Sequence, residues 1–436
     1  MDTLPTELLI EIFTRTRGDR SLDIQASDRT PWTLSQVSQR FRSIAVTSPE
    51  LWTNIHVNPS LCMRLRDPTM LLSTILLRSG SHIRFSWRKP SKHVDTEYYH
   101  AISHCMLAIL LEFSPKWVSA DLDITSDVAP HLRALQGRIP LLRQLSISCY
   151  DSGVRVISGF SDAPALEEVT IRGMDQRPHF ALSTSKLRVF RDGRISGLLV
   201  SEIAKMPALE VVESISLPPA KSDEVVTLDK VRRMAVTDSL FSRPGGTVVV
   251  PNLEELGMTI NCFSTGVGSC HASVGIAKMI EVSGCRRTLR RLSLFLDERS
   301  NDIFRLASSV DELGLRVAGR ELNGVLTELF TQMVDTKGEH WLPRLSSLAV
   351  TQCDDEPSLF FDEREDGVLS EAFMGMLTER RLQATLEKVA VDVWTTSVSK
   401  MRRMSDAQRG RLVQLRKGGL VVSITGNDFS TCRTFF

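Results

Sequence analysis

A short apolar motif recurs through much of this 436-residue chain at almost even spacing. The motif is apolar-x-x-apolar-x-apolar, and from Leu142 to Leu253, with a degraded copy at Leu187, its first positions are separated by 24, 21, 22, 22 and 22 residues. Proline stands two residues before several of these positions, where it ends the preceding segment and favours an extended start to a strand. A unit this short cannot bury its apolar edge alone, so the spacing predicts stacked repeats whose short strands form a parallel sheet.

Beyond Leu253 the first positions of the motif are separated by wider steps of 36, 21, 35 and 41 residues, which indicates insertions or missed copies. The alternative is an α/β sheet of another winding whose strands share the motif, and the even spacing of six consecutive positions argues against it. The central apolar positions are expected to stack in one buried column. They are Leu145, Val169, Met234, Leu256, Leu292, Leu313, Leu348 and Val389.

A period in the low twenties resembles that of leucine-rich repeats. The copies lack the Asn or Cys that follows the strand in regular repeats of this family, so the resemblance is to a degenerate form. It implies an α/β protein in which a leucine-rich-repeat-like solenoid with a short-strand parallel sheet occupies residues 58–398. A basic cap is expected at 399–436.

The first 57 residues have a different pattern, with two amphipathic helical segments on either side of a polar insertion at residues 15–30. Pro5 and Pro31 suit the first turn of a helix, and Glu7 favours a helix N-terminus. A piece this short cannot bury all its large apolar side chains, so it is expected to need a partner. The apolar stripes are Leu8, Leu9, Ile12 and Phe13, then Leu34, Val37, Phe41, Ile44 and Ala45.

This N-terminal block, at residues 1–57, resembles an F-box, the module by which substrate receptors of SCF-type (Skp–cullin–F-box) ubiquitin ligases bind their adaptor. Phe41 stands where the family usually has Trp, and the insertion at 15–30 is similar to those of large fungal F-box families. If the insertion is a surface loop, its deletion should leave adaptor binding largely unchanged. The resemblance implies a Skp-type adaptor and, through it, a cullin as partners. It assigns adaptor binding to Leu4, Pro5, Leu8, Ile12, Phe13, Leu34, Val37, Phe41, Leu51 and Trp52.

Signals for catalysis, metals and cofactors are weak in this sequence. Gly266–Gly268 is not followed by the Lys-Ser/Thr step of a phosphate-binding loop. We therefore expect a protein that is not an enzyme and has no catalytic residue, metal ion or cofactor. The nearest approach to a metal-binding group matches no common zinc spacing; it comprises Cys262, Cys270, His271 and Cys285.

The overall charge balance predicts no net electrostatic attraction to nucleic acid or to an anionic membrane. The chain has 53 basic and 52 acidic residues, a formal net charge of +1 at pH 7, and eight cysteines without a CxxC pair. We expect a protein of the cytoplasm, the nucleus or both, with no nucleic-acid or membrane partner. Residues 354–366 are acidic and are expected to form a solvated loop between two repeats.

Alternate residues of a strand point to opposite faces, so the residues beside the buried column should line an exposed surface. The sequence predicts that this surface binds a target protein. It does not identify that protein, because the variable strand positions follow no known recognition pattern. With the F-box, this favours the substrate-recognition subunit of an SCF-type ligase; the alternative is a ligase-independent repeat scaffold. The residues assigned to target binding are Arg172, Arg233, Glu255, Arg291, Phe295 and Arg316.

Overall fold

The computed structural model describes residues 4–17, 22–24, 30–62, 65–88, 97–149, 153–154, 156–172, 179–192, 203–214, 225–236, 247–258, 272–317, 323–334, 341–353, 371–383, 385–395 and 406–428. The chain divides into two compact units, Met1–Leu198 with Lys205–Leu209 and Leu199–Ala204 with Glu210–Phe436. Among the described helices, none has the length and apolar character needed to cross a membrane. The acidic segment 354–366 and the Cys262, Cys270 and His271 positions lie outside the described residues.

The first unit begins with helices and continues as a parallel sheet. Its helices are α1 (Thr6–Arg17), α2 (Thr30–Val37), α3 (Gln39–Thr47), α4 (Pro59–Cys62), α5 (Pro68–Arg78) and α6 (Glu97–Glu112). Its strands are β1 (Leu22–Asp23), β2 (Asn54–Val57), β3 (Ile83–Trp87), β4 (Trp117–Ile124), β5 (Gln144–Cys149), β6 (Val156–Phe160), β7 (Glu168–Arg172), β8 (His179–Leu182) and β9 (Val189–Asp192). The sheet order is β1-β2-β3-β4-β5-β7-β9, all parallel, and β6 pairs with β8 separately.

The second unit repeats the same arrangement of a strand followed by a return segment. Its strands are β10 (Val211–Ser214), β11 (Val225–Thr227), β12 (Arg233–Val236), β13 (Thr247–Val249), β14 (Glu255–Met258), β15 (Arg291–Phe295), β16 (Glu312–Val317), β17 (Ser347–Cys353), β18 (Lys388–Thr395) and β19 (Val421–Asp428). Its helices are α7 (Ala272–Ser283), α8 (Ser300–Leu306), α9 (Asn323–Gln332), α10 (Glu371–Leu382) and α11 (Asp406–Lys417). The sheet order is β10-β12-β14-β15-β16-β17-β18-β19, all parallel, with β11 paired to β13.

The central apolar positions are buried, as predicted, and they form a column within each unit. All eight of the predicted residues are at most 2% exposed. Leu145 is in register with Val169 in the first unit. In the second unit the neighbours run in register from Met234 to Val389. Val422 of β19 extends this column by one strand, so the basic C-terminal region contributes a strand to the sheet.

Strands of both units start with the same backbone hydrogen bonds. The Arg232 carbonyl oxygen accepts from the N–H groups of Glu254 and Glu255, and the Glu254 carbonyl accepts from Arg290 and Arg291. One carbonyl thus receives two successive donors, which holds the first residue of each strand at the same height as its neighbour. The other carbonyls that accept in this way belong to Arg143, Glu167, Glu210, Arg290, Asp311 and Ser346.

The insertion at residues 15–30 is partly folded into the first unit. Leu22 and Ile24 are 4% and 0% exposed, and β1 pairs in parallel with β2. The Ile24 N–H also donates to the His56 carbonyl oxygen at 3.3 Å. Residues 22–24 are therefore not part of a surface loop, because two apolar side chains inside the polar insertion gain burial by adding an edge strand.

A buried arginine in α10 supports the turn before β17. Arg380 is 2% exposed, and its guanidinium donates hydrogen bonds to the carbonyl oxygens of Met333, Trp341 and Leu342 at 2.8, 2.7 and 3.2 Å. Burial lowers the pKa of this guanidinium. Leu342 has a φ of 52°, a left-handed conformation that is costly for a residue with a side chain and persists where its surroundings hold it. Arg380 supplies that support.

Candidate functional site in the N-terminal helices

The first helix has one buried and one exposed apolar side. Leu9 and Phe13 are each 2% exposed, whereas Leu8 and Ile12 are 50% and 46% exposed. Members of each pair are four residues apart and lie above one another on the helix surface. Since α1 packs against α2 and α3, the buried pair holds the helix in place. Leu8 and Ile12 remain available to a partner.

Serine hydroxyls define where the third helix begins and ends. Ser38 breaks the run between α2 and α3 in an extended conformation, and its side chain accepts a hydrogen bond from the Phe41 N–H at 3.1 Å. At the other end, the Ser48 N–H and hydroxyl both donate to the Ile44 carbonyl oxygen. Pro49 then begins a short 3₁₀ helix that runs to Trp52. The Ser-Pro step therefore turns the chain towards β2.

An aromatic cluster underlies these helices. Phe13 and Phe41 meet edge to face with ring centroids 5.0 Å apart, and Trp32 meets Trp52 in the same way at 5.0 Å. Trp52 is fully buried and its indole N–H donates to the Ala45 carbonyl oxygen at 2.8 Å. Such pairs bury large apolar area while the indole keeps its hydrogen bond. The cluster is the local core of the helical segment.

An arginine from α5 completes this cluster from outside the helical block. The Arg78 guanidinium lies 4.9 Å from the Trp32 ring centroid and 4.8 Å from that of Trp52. A guanidinium at this distance is attracted to the electron-rich ring faces. Burial lowers the pKa of Arg78, and within the described part of the chain its Nη1 is buried without a hydrogen-bond partner. Arg78 thus links the two tryptophans to α5 within the first unit.

The ten residues assigned to adaptor binding divide into two groups. Phe13, Leu51 and Trp52 are at most 2% exposed and pack inside the described part of the chain. Their role in the described structure is to support the helices. The other seven have exposed or half-buried side chains: Leu4, Pro5, Leu8, Ile12, Leu34, Val37 and Phe41. Val37, at 62% exposed, is the most accessible large apolar side chain of α2.

The second candidate surface is the exposed side of the strands in the second unit, where five of the six residues assigned to target binding lie. Glu255 is in register with Arg233 and Arg291, and its Oε2 lies 3.3 Å from Arg233 Nε and 3.7 Å from Arg291 Nη1. Arg291 also pairs with the next strand, since its Nε lies 3.3 Å from Glu312 Oε2. The structure thus brings three of the assigned residues into one row of alternating charge.

Phe295 and Arg316 lie together further along the strands, with the guanidinium 5.5 Å from the ring centroid. Arg172 is exposed at the end of β7 in the first unit. Between the charged row and the Phe295–Arg316 pair runs a row of small side chains in register across seven strands. It consists of Ala235, Gly257, Ser293, Gly314, Ala349, Ala390 and Ser423.

A second charged row precedes the strands, and the interpretation of the sequence missed it. Arg232 lies 3.5 Å from Glu254, and Arg290 lies 3.5 Å from Asp311. The signal is visible in the sequence, since the two positions between the first apolar anchors alternate as Arg-Arg, Glu-Glu, Arg-Arg and Asp-Glu in successive repeats. Arg290 and Arg291 pair with acids on the neighbouring strands, although half-exposed pairs of this kind contribute little stability each.

Comparison with known families agrees with the geometry of the N-terminal helices. Residues 1–58 match the family model described as F-box-like. No curated protein matches the chain. The chain therefore carries an F-box-like domain, and F-box domains in general bind Skp-type adaptors and indicate a substrate-recognition role in SCF ligases.

Proposed function

We propose that this protein is the non-catalytic substrate-recognition subunit of an SCF-type cullin–RING ubiquitin ligase. The observation that carries the proposal is the coincidence of the F-box-like match with exposed apolar side chains on well-supported helices. Leu8, Ile12 and Val37 are each about half exposed or more, above a closed aromatic core. Large apolar side chains exposed to solvent on a well-packed helix are typical of a surface that a partner covers.

In this proposal the helices bind the adaptor, the strand surface binds a target protein, and a separately recruited enzyme transfers ubiquitin to the target. The receptor acts by raising the effective concentration of a target lysine near that enzyme. A cullin is reached through the adaptor, and the site of action is the cytoplasm, the nucleus or both.

Adaptor binding is tested by placing charge on the exposed side of the helices. Leu8→Asp and Val37→Asp should each weaken binding of a purified Skp-type adaptor by at least about thirtyfold, since interface hot spots contribute about 2 kcal/mol or more. Leu77→Asp is the matched control, because Leu77 is 71% exposed on α5. Trp52→Ala is unsuitable as a test, since removing a fully buried side chain would perturb the fold.

Isothermal titration of the full chain with the adaptor measures these affinities, and circular dichroism verifies that each variant is folded. Undiminished binding by folded Leu8→Asp and Val37→Asp variants would reject the adaptor assignment. It would favour the ligase-independent scaffold instead.

For the target, we infer a polypeptide partner on the exposed strand surface of the second unit. The paired rows contain arginine and glutamate side by side, so the surface lacks the unbalanced basic stripe that nucleic-acid phosphates require. Proximity labelling with the full chain compares Arg316→Glu, which changes this surface, with Arg287→Glu, an exposed arginine in the 3₁₀ helix Cys285–Arg287. Labelled proteins whose capture depends on the adaptor should be lost only with Arg316→Glu. Identical sets of labelled proteins for the two variants would mean that the target binds elsewhere.

A further inference from the structure

Two histidines and an aspartate of the first unit converge outside the F-box-like segment. His100 and His104 are one turn apart on α6, and Asp127 lies in the loop that follows β4. One candidate ligand atom from each residue lies within 4.8 Å of the other two. Asp127 Oδ2 is 3.9 Å from His100 Nδ1 and 3.6 Å from His104 Nε2. Both distances are longer than a hydrogen bond.

The local structure holds these three side chains in place. Residues four apart on a helix lie on one face, which brings the two imidazoles to the same side of α6. The Thr125 carbonyl oxygen accepts from the N–H groups of Val128 and Ala129, which closes the loop around Asp127. The Thr125 side chain also hydrogen-bonds to the Asp127 carboxylate. A second group that orients a ligand in this way is typical of metal sites.

The spacing suits a small divalent cation better than a direct contact. Two ligands about 2.1 Å from a tetrahedral zinc ion lie about 3.4 Å apart. The 3.6 Å separation of His104 Nε2 from Asp127 Oδ2 is close to this value. Moreover, His104 Nε2 is buried and, among the described residues, has no hydrogen bond of normal length; Asp127 Oδ2 faces it at 3.6 Å. A buried ring nitrogen in this state is a strong candidate for a metal ligand.

We propose that His100, His104 and Asp127 form a zinc site in which solvent supplies the fourth ligand. Two imidazoles and one carboxylate favour zinc over calcium or magnesium, which prefer sites made of oxygen ligands alone. The ion would join the N-terminal half of α6 to the loop after β4. This site departs from the sequence-based expectation that the protein binds no metal, and it is independent of the F-box-like helices.

Zinc binding is measured on the full chain without a polyhistidine tag, by competition with a chromophoric zinc chelator. We expect one equivalent of zinc per chain, and at least about a tenfold loss of affinity in His100→Gln, His104→Gln and Asp127→Asn, since losing even an outer-shell partner typically costs that much. His82→Gln is the matched control, because His82 is an exposed histidine outside the cluster that hydrogen-bonds to Ser81. Its affinity should equal that of the unchanged protein.

A spectroscopic measurement separates this site from binding by thiols. Cys105 is exposed and adjacent to His104, so it could retain zinc by itself. X-ray absorption at the zinc edge should show only nitrogen and oxygen ligands, and Cys105→Ser should bind zinc as the unchanged protein does. The proposal is overturned by a sulfur ligand, by the absence of a zinc equivalent, or by unchanged affinity in folded His104→Gln and Asp127→Asn variants.

Discussion

Replacement of Arg380 by methionine tests how the second unit is held together. The variant keeps a long side chain but removes the guanidinium bonds to the Met333, Trp341 and Leu342 carbonyls, of which Leu342 keeps the Leu345 N–H as a donor. A buried carbonyl left without its partner costs about 1–3 kcal/mol, so the two shortest bonds alone amount to about 2–6 kcal/mol. Methionine also removes the cost of burying a charge, which brings the expected loss to about 3 kcal/mol. The loss should be local to α10, the 341–346 turn and β17.

Hydrogen–deuterium exchange followed by mass spectrometry measures this local stability through the exchange rates of backbone amides in each peptide. A loss of about 3 kcal/mol accelerates exchange of protected amides about a hundredfold, at about 1.4 kcal/mol for each factor of ten. Peptides covering α10 and β17 should show this change, while those covering β2 and β3 should not. Arg287→Met, at an exposed arginine, is the control. Less than about a threefold change in α10 and β17 would refute the reasoning that buried carbonyls depend on this guanidinium.

Two further changes test close packing and the response to pH. A Cβ on Gly159 would lie 2.0 Å from the Leu132 carbonyl oxygen, so Gly159→Ala should lower the urea midpoint of unfolding. Gly375→Ala, in open space on α10, should instead stabilise the protein by about 0.5–1 kcal/mol. Equal urea midpoints for the two variants would contradict this reasoning. Burial, opposed by Asp23, lowers the pKa of His56 below 6.5, so the unfolded state binds more protons between the two pKa values. Stability should therefore fall as pH drops through that window, and a His56→Asn variant with an identical pH profile would disprove it.

The strand register could be predicted because each inward position of a short strand must be apolar and must face the equivalent position of the next strand. Leu256, for example, is in register with Leu292 although a helix and a wide gap in sequence separate them. The motif itself specifies the pairing, whatever the return segment contains. The amphipathic character of the first helix was predictable too, but its apolar stripe did not show that Leu8 and Ile12 would be exposed and Phe13 buried.

Other features left no periodic trace in the sequence. Leu22 and Ile24 are two apolar residues in a polar stretch, too few to predict a strand. Arg380 contacts carbonyl groups 38 to 47 residues away, and backbone acceptors look alike at every position. The His100–His104 spacing is visible in the sequence, but Asp127 joins it only through the loop after β4. The buried state of Trp52 depends on Arg78 and Trp32, which no local pattern connects to it.

The pairing of β2 on both of its sides has a consequence for where the N-terminal segment can be cut. β1 and β2 lie inside the segment that matches the F-box-like family, and Trp52, two residues before β2, packs against Trp32 of α2. β2 also pairs in parallel with β3, which lies beyond that segment. A fragment that ended at residue 58 would therefore leave one edge of β2 without its hydrogen-bonding neighbour, and such an edge is prone to pair with another chain.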